Sequence, residues 1–169
     1  MVEITEDQIK RANKTSRSRG NVGKNAIVPR YVREMISKSE SILDFGAGKD
    51  ALHTIDLLKE GFDITAYEFG DNVREVHDPD ALDKEYDVVM ASNVLNVQQS
   101  RGMFIVTIGR IVSCVDDNGI LLANYPASPR HLDLDADEIE EILLTLFEEV
   151  LIVGGTKKAP LFAASMPKV

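Results

Sequence analysis

Two short apolar runs, SILDF (Ser41–Phe45) and DITAY (Asp63–Tyr67), bracket a glycine-rich turn and a stretch of helical periodicity. No other feature constrains the fold as much. Runs of this length between turn signals read as buried strands. Between them, Ala51, Ile55 and Leu58 fall on one face of a helix over residues 51–58. The alternation continues downstream. YDVVMA (Tyr86–Ala91) is a further strand. A long helix runs through QSRGMFIVTIGRIVSCV, with Phe104, Ile108, Ile111 and Val115 in one stripe, and Asn118-Gly119 is expected to end it before the strand ILLANY. Asp135 opens another helix, with Leu134 and Ile139 spaced as a hydrophobic staple and Ile142, Leu143, Leu146 and Phe147 facing inward. Strands alternating with helices imply an α/β chain: a mostly parallel sheet with helices on both faces. The last two strands, 150–153 and 161–164, are joined only by GGTKKAP. That is too short for a helical crossover, so this pair is antiparallel. Between Glu68 and Asp87 there is too little chain for a helix, a strand and their loops, so 73–77 is read as a strand stub and the crossover helix as short or missing.

The N-terminal part reads differently. Thr5 and Gln8 have capping-box spacing, with Ile4 and Ile9 as a staple, so a short helix begins there. It runs into the polar segment NKTSRSRGNVGKN, an arm or loop. Pro29 suits the first helical position of PRYVREMISK, a helix that buries Val32, Met35 and Ile36. Residues 1–28 are therefore taken as an N-terminal helix with a basic arm or lid, and 29–169 as the main domain.

The 169 residues, 44% of them apolar, suffice for one domain with a real core. No apolar run approaches a membrane span, the first residues lack an apolar signal core, and Cys114 is alone. A cytoplasmic, metal-free domain is expected. The net charge of −9 is uneven: residues 10–33 hold eight basic and no acidic side chains, leaving 11 basic against 28 acidic elsewhere. Such a segment can attract an anion that the body repels. Tyr31 is its only aromatic residue, which favours phosphate contact over base stacking.

In an open parallel sheet, ligands sit beyond the carboxyl ends of the strands. Gly46 and Gly48 fall there, where glycine permits positive φ and close approach to backbone. Glu68 ends the neighbouring strand, where a carboxylate can accept hydrogen bonds from two ribose hydroxyls. Gly46 to Ala51 also fits the loose dinucleotide pattern G-x-G-x-x-[GA]. Two cofactors fit such a turn, and the charge of Asp44 favours S-adenosylmethionine over NAD. A carboxylate at the mouth of the turn opposes a pyrophosphate and suits the ammonium and sulfonium of S-adenosylmethionine.

SILDFGAGKD resembles the first motif, D-x-G-x-G-x-G, of class I S-adenosylmethionine-dependent methyltransferases; ITAYEFG is similar to their second, and YDVVMASNVLNV to their fourth strand and following loop. The resemblance covers about residues 29 to 164, and small stand-alone members carried by bacteriophages and mobile elements look similar. It implies a Rossmann-like three-layer α/β/α fold with a seven-stranded sheet in the order 3-2-1-4-5-7-6, strand 7 antiparallel, here with a reduced strand 2 to strand 4 region. It implies cofactor contacts at Asp44, Gly46, Ala47, Gly48, Glu68 and Ser92, with Asp78, or its rival Asp80, meeting the adenine amino group. Asp50 departs from the pattern by replacing the third glycine.

Methyl transfer from an activated sulfonium needs positioning and, for some acceptors, removal of a proton. The candidates are Asn93 and His131 for catalysis, and Asn96, Tyr125, Arg130, Arg19 and Lys24 for the acceptor, with no metal. SNVL lacks the Pro-Pro-aromatic tetrad of amino-directed DNA methyltransferases, and Cys114 lies in a helix without the Pro-Cys of cytosine-C5 enzymes. The acceptor is a small anionic molecule or a nucleic acid approached through the basic arm. Alternatives are a non-catalytic cofactor-binding or interaction module, and an NAD-dependent oxidoreductase.

Overall fold

A computed structural model describes residues 4–16 and 26–168. Arg19 and Lys24, with most of the basic arm, lie outside the described residues. The chain runs α1 (Glu6–Ser16), α2 (Ile27–Met35), β1 (Ser41–Phe45), α3 (Leu52–Lys59), β2 (Asp63–Tyr67), β3 (Tyr86–Ala91), α4 (Arg101–Ser113), β4 (Val115–Asn124), α5 (Ala136–Leu146), β5 (Phe147–Gly155) and β6 (Pro160–Pro167). The sheet order is β2-β1-β3-β4-β6-β5. The pairs among β1 to β4 are parallel, and β6 runs antiparallel to both β4 and β5.

This is the expected order with one strand absent: the sheet has six strands, not seven. What remains of the third strand is a single parallel bridge between Ala66 and His77. The chain from β2 to β3 otherwise passes through two short 3-10 turns, Gly70–Asn72 and Ala81–Asp83. Ala81 is fully buried and its carbonyl accepts a hydrogen bond from Tyr86 Oη at 2.8 Å. A few residues thus cover core that a crossover helix would otherwise cover.

Strand periodicity sorts side chains onto two faces. Leu43 and Phe45 of β1 join Val89, Leu121 and Ala123 under α4 and α5, against Phe104, Ile108, Ile139 and Leu143. Ile42 joins Val88, Met90 and Leu122 on the opposite face, against Val28 and Val32 of α2 and Leu57 of α3. Asp44, two residues from Ile42, therefore faces the α3 layer. At the other end of β1, Asp87 accepts from Ser41 N at 2.9 Å and Ser41 Oγ accepts from Asp87 N at 3.0 Å. The aspartate that leads β3 locks strand register far from the strand tips.

Caps behave as the spacing predicts. Thr5 and Gln8 bond reciprocally, at 3.0 and 3.2 Å, and Asp135 and Glu138 form a full capping box. Helix α4 differs: it ends at Ser113, and β4 already begins at Val115. Asn118 and Gly119 lie within that strand, where a Cβ on Gly119 would sit 2.8 Å from the Tyr86 carbonyl oxygen. Close backbone approach between β3 and β4, rather than helix termination, is why glycine stands there. Cys114 is buried beside the Leu82 carbonyl, a core position.

Candidate functional site

The tips of β1, β2, β3 and β4 share one edge of the sheet, and the loops after them form the site. After β1 the chain turns sharply. The amides of Gly46 and Ala47 both donate to the Tyr67 carbonyl, at 3.0 and 2.9 Å, which holds the turn against β2. Gly46 has φ +72° and a Cβ there would come within 2.8 Å of Val94 Cγ2, so the turn is also pressed against the loop after β3. Gly48 has φ +82°, but a Cβ there would meet nothing within 4 Å. Gly46 is thus a packing glycine, and Gly48 borders open space. The left-handed conformation that ends the turn falls on Ala51, at φ 45° and ψ 46°, one residue after Asp50. Helix α3 then starts with no side-chain cap, and its first-turn amides stay without such a partner.

Two carboxylates flank this turn. Asp44 is 1% exposed, and Thr54 Oγ1 of α3 donates to its Oδ2 at 2.7 Å. Burial raises its pKa to about 7, with the nearby Glu68 charge pushing the same way and the Thr54 hydrogen bond opposing. Glu68 is 7% exposed; its Oε2 accepts from Gly48 N and its Oε1 from Phe69 N, both at 2.9 Å. Burial raises its pKa as well, against those two bonds. Among the described residues, neither carboxylate forms an ion pair; the pairs present are Arg11–Asp7, Arg33–Glu60 and Lys84–Asp78.

Asp78 lies just past the Ala66–His77 bridge, its amide donating to the Ala66 carbonyl at 2.9 Å. Its Oδ1 accepts from Asp80 N at 2.8 Å and its Oδ2 lies 3.4 Å from Lys84 Nζ. The Asp80 amide bond, then Lys84, hold its pKa below the usual carboxylate value. Asp80 is exposed at the turn that Asp78 closes.

The β3 and β4 loops are stitched to each other by amides. Asn93, at φ 57°, donates its backbone N–H to Asn124 Oδ1 at 2.7 Å, and Asn124 Nδ2 donates to Asn93 Oδ1 at 2.8 Å. Asn96 is fully buried; its Nδ2 donates to the Pro129 carbonyl at 2.8 Å, and its own carbonyl accepts from His131 N at 3.0 Å. Ser92 Oγ and Asn96 Oδ1 are buried without a hydrogen-bond partner. The side chain of His131 lies at the exposed surface of this loop.

Two expected acceptor contacts need correction. Tyr125 does not overhang the site: it is fully buried, and its hydroxyl donates to the Leu134 carbonyl. Arg130 stacks over the Tyr125 ring at 4.2 Å and donates to the carbonyls of Pro126, Tyr125 and Lys158. Its guanidinium ties the loop after β4 to the β5–β6 connection. With Asp135, Asp137, Lys157 and Lys158 it lines a cleft of about 450 Å³.

Three residues of the site were not anticipated. Thr54 and Asn124 follow from strand and helix geometry once the fold is known. His77 is 5% exposed, with ring Nε2 2.7 Å from the Gly48 carbonyl oxygen. A lone histidine in a polar stretch carries no local signal of that contact. Helix α1 borders the same edge, packing on the 3-10 turns Gly70–Asn72 and Leu95–Val97, with Gln8 Nε2 donating to Ser100 Oγ at 2.9 Å. Ser100 in turn caps α4 by accepting from Met103 N.

No curated protein matches the chain in sequence. Solved structures do match in fold. A Burkholderia thailandensis 1,6-didemethyltoxoflavin-N1-methyltransferase, determined with its substrate and S-adenosylhomocysteine, is 16% identical with TM-score 0.63, covering 96% of this chain and 86% of that one. A TehB-like S-adenosylmethionine-dependent methyltransferase from Corynebacterium glutamicum is 15% identical with TM-score 0.62, covering 82% and 86%. A glycopeptide N-methyltransferase complexed with S-adenosylhomocysteine is 16% identical with TM-score 0.58, covering 86% and 91%. At these identities the likeness is one of fold. A family model described as a methyltransferase domain matches residues 16–148. That span takes in well over half of the sequence and contains the glycine turn, both buried carboxylates and the stitched loops, and the chain belongs to the methyltransferase-domain family.

Proposed function

We propose that the chain binds S-adenosylmethionine across the tips of β1 and β2 and methylates a nitrogen or oxygen that carries a hydrogen, held at the loops after β3 and β4. One observation carries this reading: Asp44 and Glu68 are buried on either side of a glycine turn and lack a cationic partner among the described residues. Burying carboxylates in this way is costly unless a cation or hydrogen-bond donors meet them. The residues present fit the cofactor. Each Glu68 oxygen accepts one backbone bond and has capacity for a ribose hydroxyl. Gly48 leaves room where a side chain would project. Asp44 suits the positive end of the molecule and Asp78 the adenine amino group, with Ala47 and Ser92 as the further cofactor contacts of this reading. Structures of the glycopeptide N-methyltransferase hold S-adenosylmethionine and sinefungin.

Bound there, the cofactor supplies a methyl group on a positively charged sulfur. This chain's residues orient the acceptor and exclude water. Asn96 Oδ1 can only accept a hydrogen bond, and Ser92 Oγ can accept one; both are buried and unpartnered. A neutral amine, amide or hydroxyl satisfies them, whereas a carboxylate or phosphate at the same point does not. Arg130 is held in place by three backbone carbonyls. Nucleobase amino groups belong to the favoured class, and the basic segment containing Arg19 and Lys24 would then meet phosphates. The paired Asn93 carboxamide favours a positioning role for that residue, which leaves His131 as the candidate for proton removal.

Titration calorimetry with S-adenosylmethionine, S-adenosylhomocysteine and NAD tests the cofactor. The first two are expected to bind and NAD to give no heat; the reverse would overturn the reading. Tritiated methyl transfer into a cell extract, fractionated with and without nuclease, tests the acceptor. Label confined to methyl esters would contradict the hydrogen-bearing acceptor.

A further inference from the structure

The geometry points to His77 as a positioning residue for the cofactor, acting through the Gly48 backbone. The inference rests on the S-adenosylmethionine reading above. Gly48 sits at φ +82° with no neighbouring atom within 4 Å of where a side chain would start, so no side-chain packing holds its two flanking peptide planes. Hydrogen bonds hold them instead. The plane before Gly48 is fixed by its amide on Glu68 Oε2 at 2.9 Å. The plane after it is fixed by its carbonyl, which accepts from His77 Nε2 at 2.7 Å and from Ala51 N at 3.2 Å.

The imidazole's own partners define its tautomer. His77 Nδ1 accepts from Arg74 N at 2.8 Å, so the ring proton sits on Nε2 and is donated to Gly48. The ring is carried there by the single bridge to Ala66, the remnant of the absent strand, and its backbone N–H is tied to the Arg74 carbonyl at 3.1 Å. Thus one side chain from the shortened segment does for the glycine turn what a paired strand cannot do here. Without it, the Gly48 carbonyl keeps only the longer bond from Ala51 N, and the turn that presents the Gly48 amide to Glu68 is held less firmly.

The two ring nitrogens can be tested separately. Glutamine places an N–H donor near the Nε2 position, reaching the Gly48 carbonyl. Asparagine places an acceptor near the Nδ1 position, reaching Arg74 N but not Gly48. S-adenosylhomocysteine affinity is measured by calorimetry for the full chain and for His77→Gln, His77→Asn and His77→Ala, with thermal melting alongside. We expect His77→Asn and His77→Ala to weaken binding about tenfold, the scale of one lost hydrogen bond, and His77→Gln to stay within about threefold. Equal affinities for the glutamine and asparagine variants, or an alanine variant that binds like the unaltered chain, would overturn the role. A merely structural histidine would lower melting temperature in all three without separating glutamine from asparagine. If the unaltered chain takes up no S-adenosylhomocysteine, the cofactor reading falls and this inference with it; if it binds and the variants match it, only this inference falls.

Discussion

The two halves of the sheet's carboxyl edge are built on opposite electrostatic terms. At the tips of β1 and β2, Asp44 and Glu68 are buried with their pKa values raised, a configuration that costs the fold stability where they ionise. At the tips of β3 and β4, Asn93 and Asn124 satisfy each other with two reciprocal bonds and Asn96 ties the loops together. The first half is unfinished without a partner that brings positive charge and donors. The second is neutral and largely closed on itself, leaving two buried acceptor-capable atoms without partners. Binding sites give up stability in this way because groups matched to a ligand are mismatched without it.

The largest effect separating the halves is expected from Asp44→Asn, which keeps an acceptor for Thr54 and removes the charge. A carboxyl with a higher pKa in the folded chain than in the unfolded chain holds its proton more tightly when folded. Its contribution to stability is complete below pH 3.8 and is lost as pH rises through about 7. The shift corresponds to on the order of 4 kcal/mol at about 1.36 kcal/mol per unit. Urea unfolding at pH 5 and pH 8 should therefore show the ligand-free chain losing stability toward pH 8. The asparagine variant should lose much less, the remainder coming from Glu68, which shifts in the same direction. Equal pH dependence in both proteins would break the contrast.

Next comes Glu68→Ala. It removes the ribose acceptor and the anchor of the Gly48 amide together. Hydrogen bonds to a charged group are each worth roughly 1.5–3 kcal/mol, so calorimetry should show affinity for S-adenosylhomocysteine reduced about a hundredfold or more. Unchanged affinity would place the ribose elsewhere. The smallest effect belongs to the neutral half. Asn124→Ala leaves the Asn93 amide and carboxamide without partners and should cost about 2 kcal/mol of stability. Cofactor affinity should move by less than about threefold. A large affinity loss would show that the two halves are not separable.

The charged half was the legible one. Strand period and a glycine turn place Asp44, Gly46, Gly48 and Glu68 at adjacent strand tips without knowledge of long-range packing. The shortage of chain between Glu68 and Asp87 announced a reduced third strand, though not that it would shrink to one bridge at His77. The neutral half resisted because its contacts are non-local. Tyr125 looks like a residue overhanging the pocket until its hydroxyl is seen to reach Leu134, and Arg130 looks free until three carbonyls claim it. His77 and Gly48 are 29 residues apart in sequence, and only the folded turn brings imidazole to carbonyl. The end of α4 was misplaced because Asn118-Gly119 reads as a helix stop, whereas the glycine answers close approach to β3.

The central claim is that a cationic sulfur nucleoside completes the Asp44–Glu68 end of the sheet. Titration of S-adenosylmethionine into the unaltered chain and into Asp44→Asn, at pH 6 and pH 8, tests it most directly. Since the Asp44 carboxyl ionises around pH 7, the unaltered chain should bind more tightly at pH 8, and the variant should bind more weakly with a smaller dependence on pH. No uptake by the unaltered chain, or one affinity shared by both proteins at both pH values, would contradict it.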